Sequence, residues 1–261
     1  MLKKYNIIVL IFLVLITGCE SKITKDIETI DDLNNANIGV FTGSEYDTII
    51  NENIKNAKIA YYNSYSDQIS ALKSNKIAGF LSDEPLAKEM IRKNDGLKIL
   101  NKKLTNDSYA FAINPKEEEL KKEIDEILKK MKVNGKLDYF VNKWIENDSS
   151  NQKLETYKEK KYKKNIKYAA VSGSAPFAFM KDNNIIGYDI DVMSYIANEL
   201  DYKLEVNEMS FDGILPALIS GKIDMAGCSI IVTEERKKSV LFSEPDFTGG
   251  IVVVVKDNEK D

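Results

Sequence analysis

The sequence predicts an α/β protein built as two similar lobes, on three observations. Short apolar runs alternate with helical patterns along most of the chain, which is the signature of parallel strands joined by helices. The segment Ala71-Leu-Lys-Ser-Asn-Lys-Ile77 returns 146 positions later as Ala217-Leu-Ile-Ser-Gly-Lys-Ile223, each time where a helix gives way to a strand. Between the copies, residues 148–164 are polar and charge-dense with little to bury, and read as a linker. The expected lobes are therefore 29–147 and 165–261.

Composition narrows the function classes. The 261 residues include 37 basic and 41 acidic side chains, with 43% hydrophobic and 30% charged residues, an ordinary globular balance. No strongly basic region with interleaved aromatics occurs, so nucleic acid is not an expected partner. The chain has no histidine, which removes His-based triads, His general bases and His metal sites. No catalytic residue, metal or cofactor is expected. The two cysteines have unrelated settings, so no disulfide framework follows.

The first 19 residues read as a leader. Lys3 and Lys4 precede an apolar core of about eleven residues, too short to span a bilayer comfortably. The core ends in Ile16-Thr17-Gly18-Cys19, which resembles a bacterial lipobox. That resemblance implies cleavage before Cys19 and lipidation of Cys19 itself, so the product is tethered to the cell membrane on its extracytoplasmic face. Residues 20–28 are a short tether. Loss of Lys3 and Lys4 leaves 35 basic against 41 acidic residues, a net charge of −6.

In the first half, 37–41 is an apolar strand, and Gly43 suits the tight turn into a helix over 44–55 with Ser44 as its N-cap. Such a turn is a generic anion site. Residues 57–62 and 78–81 are strands, and 64–74 is a helix. Residues 83–94 form a helix that Asp83 either caps or leaves free to face a ligand at the end of its strand. Residues 97–100 and 108–113 are further strands. Asn114 and Pro115 open a helix whose buried stripe is Leu120, Ile124, Ile127, Leu128 and Met131, and Gly135 stops it. Leu137, Phe140, Val141, Trp144 and Ile145 lie at helical spacing and read as core.

In the second half, 166–171 is a strand and 172–176 a small-residue loop. Residues 177–180 and 185–186 flank a Lys-Asp-Asn-Asn turn as a hairpin. A helix follows around Val192, Tyr195, Ile196 and Leu200, then a strand over 202–206. A short helix near 212–221 is expected to start late, because Pro216 favours an early-turn position. Residues 223–227 are a strand that stops on small residues, leaving backbone N–H groups free around Gly227 and Ser229. Thr233 can cap the turn that follows, with Glu234 and Glu235 at its positive end. Arg236 sits about one turn later. A guanidinium beside free N–H groups is a carboxylate receptor, and the alternative is a surface Arg paired with a Glu. Cys228 reads as a small buried residue. Residues 249–255 are a β-branched run.

Six motifs in the second half carry a family resemblance: Ala175-Pro-Phe-Ala-Phe179, Gly187-Tyr-Asp-Ile-Asp191, Phe211-Asp-Gly-Ile-Leu-Pro-Ala-Leu218, Gly221-Lys-Ile-Asp224, Thr233-Glu-Glu-Arg-Lys-Lys238 and Phe242-Ser-Glu-Pro245. They resemble the N-terminal lobe of the amino-acid-binding extracellular solute-binding proteins of bacterial ABC uptake systems. The first half resembles the second lobe of that family through Ile30-Asp-Asp-Leu33, Ile38-Gly-Val-Phe-Thr-Gly-Ser44, the stretch 66–72, Leu81-Ser-Asp83, Asn134-Gly-Lys-Leu-Asp138 and Lys143-Trp144. The resemblance implies two α/β lobes joined at a hinge, the Venus-flytrap arrangement of type 2 periplasmic-binding proteins. The lobes stand in reversed order, as in a circular permutant cut at the hinge with 148–164 joining the old ends. A fragment of a tandem array of modules is the rival reading.

By this resemblance Arg236 takes a ligand α-carboxylate and Asp83 takes the α-ammonium from the opposite lobe. Each is expected to be unpaired until a zwitterion bridges them, so that binding favours lobe closure. Ser229 and Ile231 match positions that offer backbone groups or hydroxyls, although Ile231 stands where Ser or Thr is frequent. Gly43 and Ser44 match the second-lobe loop, Phe211 a position that packs on the ligand, and Ser174 replaces a frequent aromatic. Glu45 has no usual acidic counterpart, and either faces a cationic ligand or favours its helix N-terminus. The expected partners are a small ligand such as an amino acid and an ABC permease, with the protein acting as a monomer. A sensory ectodomain without a transporter, or a dehydratase-like enzyme on the same fold, are the alternatives.

Overall fold

The structure is a computed structural model and describes residues 26–258. The leader, Cys19 and most of the tether lie outside the described residues. Among the described residues no helix is long and apolar enough to cross a membrane.

Two five-stranded sheets organise two lobes. The first sheet runs in the order Lys58–Tyr62, Asn37–Phe41, Gly79–Asp83, Ile251–Lys256, Leu97–Ile99. Its first three strands are parallel, and Ile251–Lys256 is antiparallel to both neighbours. The β-branched run 251–255 is buried throughout, as a strand covered on both faces must be. Val253 and Val255 pack with Ile38, Val40, Leu81 and the helix Tyr46–Asn53 on one face. Val252 and Val254 pack with Phe80, Leu72 and Ala87 on the other. This is the Asp83 lobe.

The second sheet runs Tyr202–Glu208, Lys164–Ala170, Met225–Ala226, Ala112–Ile113, Leu241–Phe242. Helices Glu118–Val133, Lys136–Val141 and Tyr188–Leu200 cover it, sharing one core that includes Leu128, Phe140, Trp144, Ile166 and Met193. This is the Arg236 lobe.

Each sheet therefore draws on both halves of the sequence, and the lobes are not the contiguous halves 29–147 and 165–261. Residues 251–256 complete the Asp83 sheet, while 112–113 and the helices after them belong to the Arg236 lobe. The chain crosses between lobes twice. The crossings, Asp107–Tyr109 and Phe247–Gly249, pair antiparallel and form a two-stranded hinge. This splits the single strand expected over 108–113, because Tyr109 still faces the hinge while Ala112 has entered the next sheet. Residues 148–164 are a peripheral strap. A turn of 3-10 helix at Ser149–Asn151 opens it, and Glu155 then anchors to Lys136 and, through its N–H, to Asp191.

The repeated segment has the same physical job in both lobes. Asn75 at φ 58° and Gly221 at φ 75° close their helices in the left-handed conformation. The N–H groups of Lys76 and Lys222 return to the carbonyls of Ala71 and Ala217, each at 2.9 Å. Only Gly and, less readily, Asn adopt this helix-stop geometry cheaply. The stop sets the angle at which the strand leaves toward the interlobe face.

Three local expectations are corrected. Asn114 does not cap a helix: its carboxamide oxygen accepts from the Lys116 N–H at 2.9 Å, and the helix starts at Glu118. Glu45, not Ser44, holds the N-cap position of Tyr46–Asn53, and its side chain makes no capping bond. Helix Phe211–Ser220 carries Pro216 in its interior, forgoing the hydrogen bond that a 216 N–H would make. Its earlier start is fixed by tertiary contact, since Phe211 packs edge-on against Phe41 of the other lobe at 6.0 Å.

Candidate functional site

The lobes meet over a cleft with about 360 Å³ of atom-free space, lined by Phe41, Ser44, Glu45, Tyr46, Tyr65 and Asp83 from one lobe. Ser174, Phe211, Cys228, Ser229, Ile231 and Arg236 line it from the other. That space is mostly open to solvent, and the room enclosed between the side chains is only about 20 Å³, so the lobes stand closed against each other here. Eight of the nine residues singled out from sequence line it. The ninth, Gly43, presents its carbonyl to Arg236.

Pseudo-symmetry places these groups. The offset of 146 that relates Ala71 to Ala217 also relates Asp83 to Ser229. Sheet register extends the relation, because Ile38 pairs with Gly79 as Tyr168 pairs with Met225. Thr42-Gly-Ser-Glu45 thus corresponds to Ser172-Gly-Ser-Ala175. Ser44 and Ser174 are one equivalent pair at the ends of their strands, and Asp83 and Ser229 are the other. All four face the cleft, at the strand ends where ligands of open α/β sheets sit.

Asp83 stands at the N-cap position of helix Glu84–Lys93 but makes no capping bond, so its carboxylate is not spent on the helix. Its Oδ2 accepts from the Tyr46 hydroxyl at 2.9 Å and from the Ser229 hydroxyl, across the cleft, at 3.0 Å. Its Oδ1 and the Tyr109 hydroxyl beside it are both buried and interact without a well-aligned hydrogen bond. Burial pushes the Asp83 carboxyl up to about 6, against the hydroxyls of Tyr109, Tyr46 and Ser229, which favour the ionised form. The same burial, with Asp83 beside it, raises Tyr109 far above the ordinary tyrosine range.

Thr233 caps the four-residue helix Glu234–Lys237 by accepting from the Arg236 N–H at 3.2 Å. Arg236 is 6% exposed. Its Nη1 donates to the Ile231 carbonyl at 3.0 Å and its Nη2 crosses to the Gly43 carbonyl at 3.3 Å. Its Nε is 3.2 Å from the Glu45 carboxylate, within ion-pair range but too poorly aligned for a hydrogen bond. The guanidinium carbon lies 5.9 Å from the Phe211 ring centre, a cation–π distance. Burial lowers the Arg236 pKa, opposed first by Glu45.

Two expectations change. Arg236 and Asp83 are not unpaired, because Glu45, Gly43 and Ser229 meet them across the cleft. Glu45 stands at the N-cap position of its helix, where a negative charge is favoured, and also reaches the guanidinium of the opposite lobe. The second change concerns the backbone donors after strand Met225–Ala226. The Cys228 N–H donates to Asp189 Oδ2, and the Ser229 N–H also favours the ionised form of that acid. These donors serve a buried carboxylate behind the cleft. Burial raises Asp189 to about 7 against their pull. Cys228 and Ser229 have φ of 93° and 48°, an uncommon conformation for non-glycine residues that concentrates at binding sites. The Cys228 thiol is raised well above its ordinary pKa by burial and accepts from the Val171 N–H at 2.9 Å, so it is a packing group.

Ile231 contributes more than a backbone group. Its side chain packs in the core cluster of the opposite lobe with Phe41, Tyr46 and Tyr109, so an apolar residue here joins the two lobes where a hydroxyl would not. Gly43, at φ 85°, lets the lobes approach: a Cβ there would lie 3.0 Å from the Asp212 Cα. Sequence reading missed Tyr46, Tyr65, Phe41 and Tyr109. Tyr46 follows Glu45 in the turn that was singled out, but a ring in a helix's first turn looks like core. Tyr65, stacked on Phe41 at 4.7 Å, carried no local signal. Among the described residues no cluster of His, Cys, Asp and Glu could hold a metal ion.

Comparison with known proteins agrees with the motifs. Residues 166–261 match the model of the bacterial extracellular solute-binding proteins, family 3. A probable amino-acid-binding protein of Bacillus subtilis is 34% identical over 96 residues, covering 36% of this chain and 36% of the relative. A probable histidine-binding protein of Campylobacter jejuni is 32% identical over 115 residues, covering 44% and 42%. The arginine-bound domain 1 of an arginine-binding protein, solved in isolation, is 34% identical over 36% of this chain and 82% of that one, with a TM-score of 0.31. The chain thus spans about two fifths or less of the length of the curated relatives it matches.

Proposed function

We propose, from the match of residues 166–261 to the model of the bacterial extracellular solute-binding proteins, family 3, that the chain binds a single free amino acid between its lobes for delivery to an ABC importer. One observation carries the reading. A buried guanidinium and a buried carboxylate, one oxygen of which lacks a well-aligned hydrogen bond, face one small cleft from opposite lobes. A zwitterion satisfies both at once. Its carboxylate replaces Glu45 on Arg236 as a charge-assisted partner, and its ammonium meets Asp83 Oδ1. The ligand is then worth most to the closed arrangement, which is the condition for closure to follow binding. The curated relatives' names, amino-acid-, histidine- and arginine-binding proteins, support the same class of ligand, and a binding rather than a catalytic role.

The reversed lobe order belongs to this proposal. The peripheral strap 148–164 and the two-crossing hinge support a permuted arrangement in which lobe contacts are kept while the chain is reconnected. So do lipidation at Cys19 and tethering on the extracytoplasmic face, which rest on the leader motif, and action as a monomer. Titration calorimetry with the twenty amino acids tests the binding reading. At least one should bind the wild-type protein and fail to bind Arg236→Ala of unchanged circular dichroism. Binding that survives that substitution, or no binding by the wild-type protein, overturns it.

A further inference from the structure

Glu45 is the charge that the amino-acid reading leaves over. The cleft lining holds two acids, Glu45 and Asp83, against one base, Arg236. An α-carboxylate on Arg236 and an α-ammonium on Asp83 consume one charge of each sign from the protein and leave a carboxylate behind. In the structure that carboxylate is paired to Arg236 by 3.2 Å and its side chain is 35% exposed. Once a ligand carboxylate takes the guanidinium, no other basic side chain lines the cleft to receive it.

The local fold favours an acid at this position only through the helix N-terminus. Glu45 makes no capping bond to its own helix. Its counterpart by sequence offset is Ala175, which follows the short strand Gly173–Ser174 and carries no charge. The neighbouring wall is aromatic: Phe41 stacks on Tyr65 at 4.7 Å and Phe211 stands edge-on to Phe41 at 6.0 Å. Such a wall accepts a methylene stem, and ring faces favour a cation at its tip.

We propose that Glu45 sets the charge class of the ligand. Its carboxylate lies beside the carboxylate receptor, where it can act as an internal stand-in. On binding it is displaced and pairs with a positive side chain of the ligand, so the site selects dibasic amino acids over neutral ones of the same shape. The selection works in both directions. A cationic side chain is rewarded by the displaced carboxylate, and a neutral one leaves that carboxylate without a partner in a narrowed cleft.

The inference rests on the amino-acid reading, and calorimetry with lysine, norleucine and cadaverine separates the two. Norleucine lacks the side-chain ammonium and cadaverine lacks the carboxylate. Lysine should bind the wild-type protein about thirtyfold more tightly than norleucine, as expected for one charge-assisted contact. In Glu45→Gln the ratio should fall to about threefold or less, chiefly by weakening lysine, as loss of that contact requires. Equal wild-type affinity for lysine and norleucine, or a ratio unchanged in Glu45→Gln, overturns the role of Glu45 while leaving the zwitterion site standing. Cadaverine binding more tightly than lysine, and indifferent to Arg236→Ala, overturns both.

Discussion

The two lobes use one scaffold and arm it differently. The equivalent strand ends carry Asp83 in one lobe and Ser229 in the other, and these two residues touch at 3.0 Å. The corresponding segments carry Ser44-Glu45 and Ser174-Ala175. The Asp83 lobe therefore places charge on the repeated strand end and on the turn. The Arg236 lobe places neutral groups at both positions, and brings its charge from a short helix that has no partner in the repeat. A head-to-tail zwitterion has unlike ends, so a symmetric cleft could not read it. The difference between the lobes is what gives the site a direction.

The two charges also differ in how they are held. Arg236 donates to two fixed carbonyls, Ile231 and Gly43, and lies beside Glu45. Asp83 keeps one oxygen without a well-aligned hydrogen bond and a pKa pushed up to about 6 by burial. Burial works against both charges, and they differ in what offsets it: carbonyls and Glu45 for Arg236, hydroxyls for Asp83.

Substitutions should separate these conditions. The largest effect is expected for Arg236→Ala, which should weaken amino-acid binding by about 100-fold or more. It should also lower the melting temperature, because the buried Ile231 carbonyl loses its donor and the bond to the Gly43 carbonyl of the other lobe is lost. Calorimetry and thermal unfolding check both effects, and a stabilised Arg236→Ala protein would erase the contrast with Asp83. Next, Asp83→Asn should weaken binding by about thirtyfold while raising stability at pH 7 by roughly 1–2 kcal/mol, since the cost of a buried carboxylate is removed.

The pH dependence sharpens the same point. The folded pKa of Asp83, about 6, lies above its ordinary value of 3.8, so the folded state binds the extra proton. Its burial costs nothing at low pH, and stability is lost as pH rises through the window from about 4 to about 6. Ligand affinity runs the other way, falling about tenfold per unit as pH drops below about 6, because protonated Asp83 no longer attracts an ammonium. Asp83→Asn should flatten this acid-side fall in affinity. An unchanged slope in the variant would place the titrating group elsewhere, with the buried Asp189 as the nearest rival. The smallest effect belongs to Ser229→Ala. It removes one hydrogen bond between the lobes and should cost about 1 kcal/mol, with a small rise in the radius of gyration of the ligand-free protein. A drop in melting temperature as large as that of Arg236→Ala would mean that the lobe contact depends on Ser229 and not on the Arg236 jaw.

Much of this was legible from residues alone. Alternating patterns gave the α/β class, and the seven-residue repeat marked two lobes, because a helix stop followed by a strand needs Asn or Gly at one place and apolar residues on either side. The Thr233 cap and the burial of the run 251–255 are local consequences of side-chain type. So is the choice of Arg236 and Asp83, whose positions at strand and helix ends are set by nearby chemistry, with their roles carried over from the family motifs.

What the chain order concealed, only the tertiary structure decided. That residues 251–256 complete the sheet of the first lobe follows from pairing with strands more than 150 positions away in sequence, and the entry of 112–113 into the second sheet from pairing with strands more than 110 positions away. Local propensity is blind to such pairing. The partners of the two charges lie equally far apart: Glu45 and Gly43 for Arg236, Ser229 for Asp83. A side chain's residue type determines that it needs a partner. Which partner it finds is determined by how two lobes close, because at 3 Å the energy depends on geometry that no stretch of sequence contains.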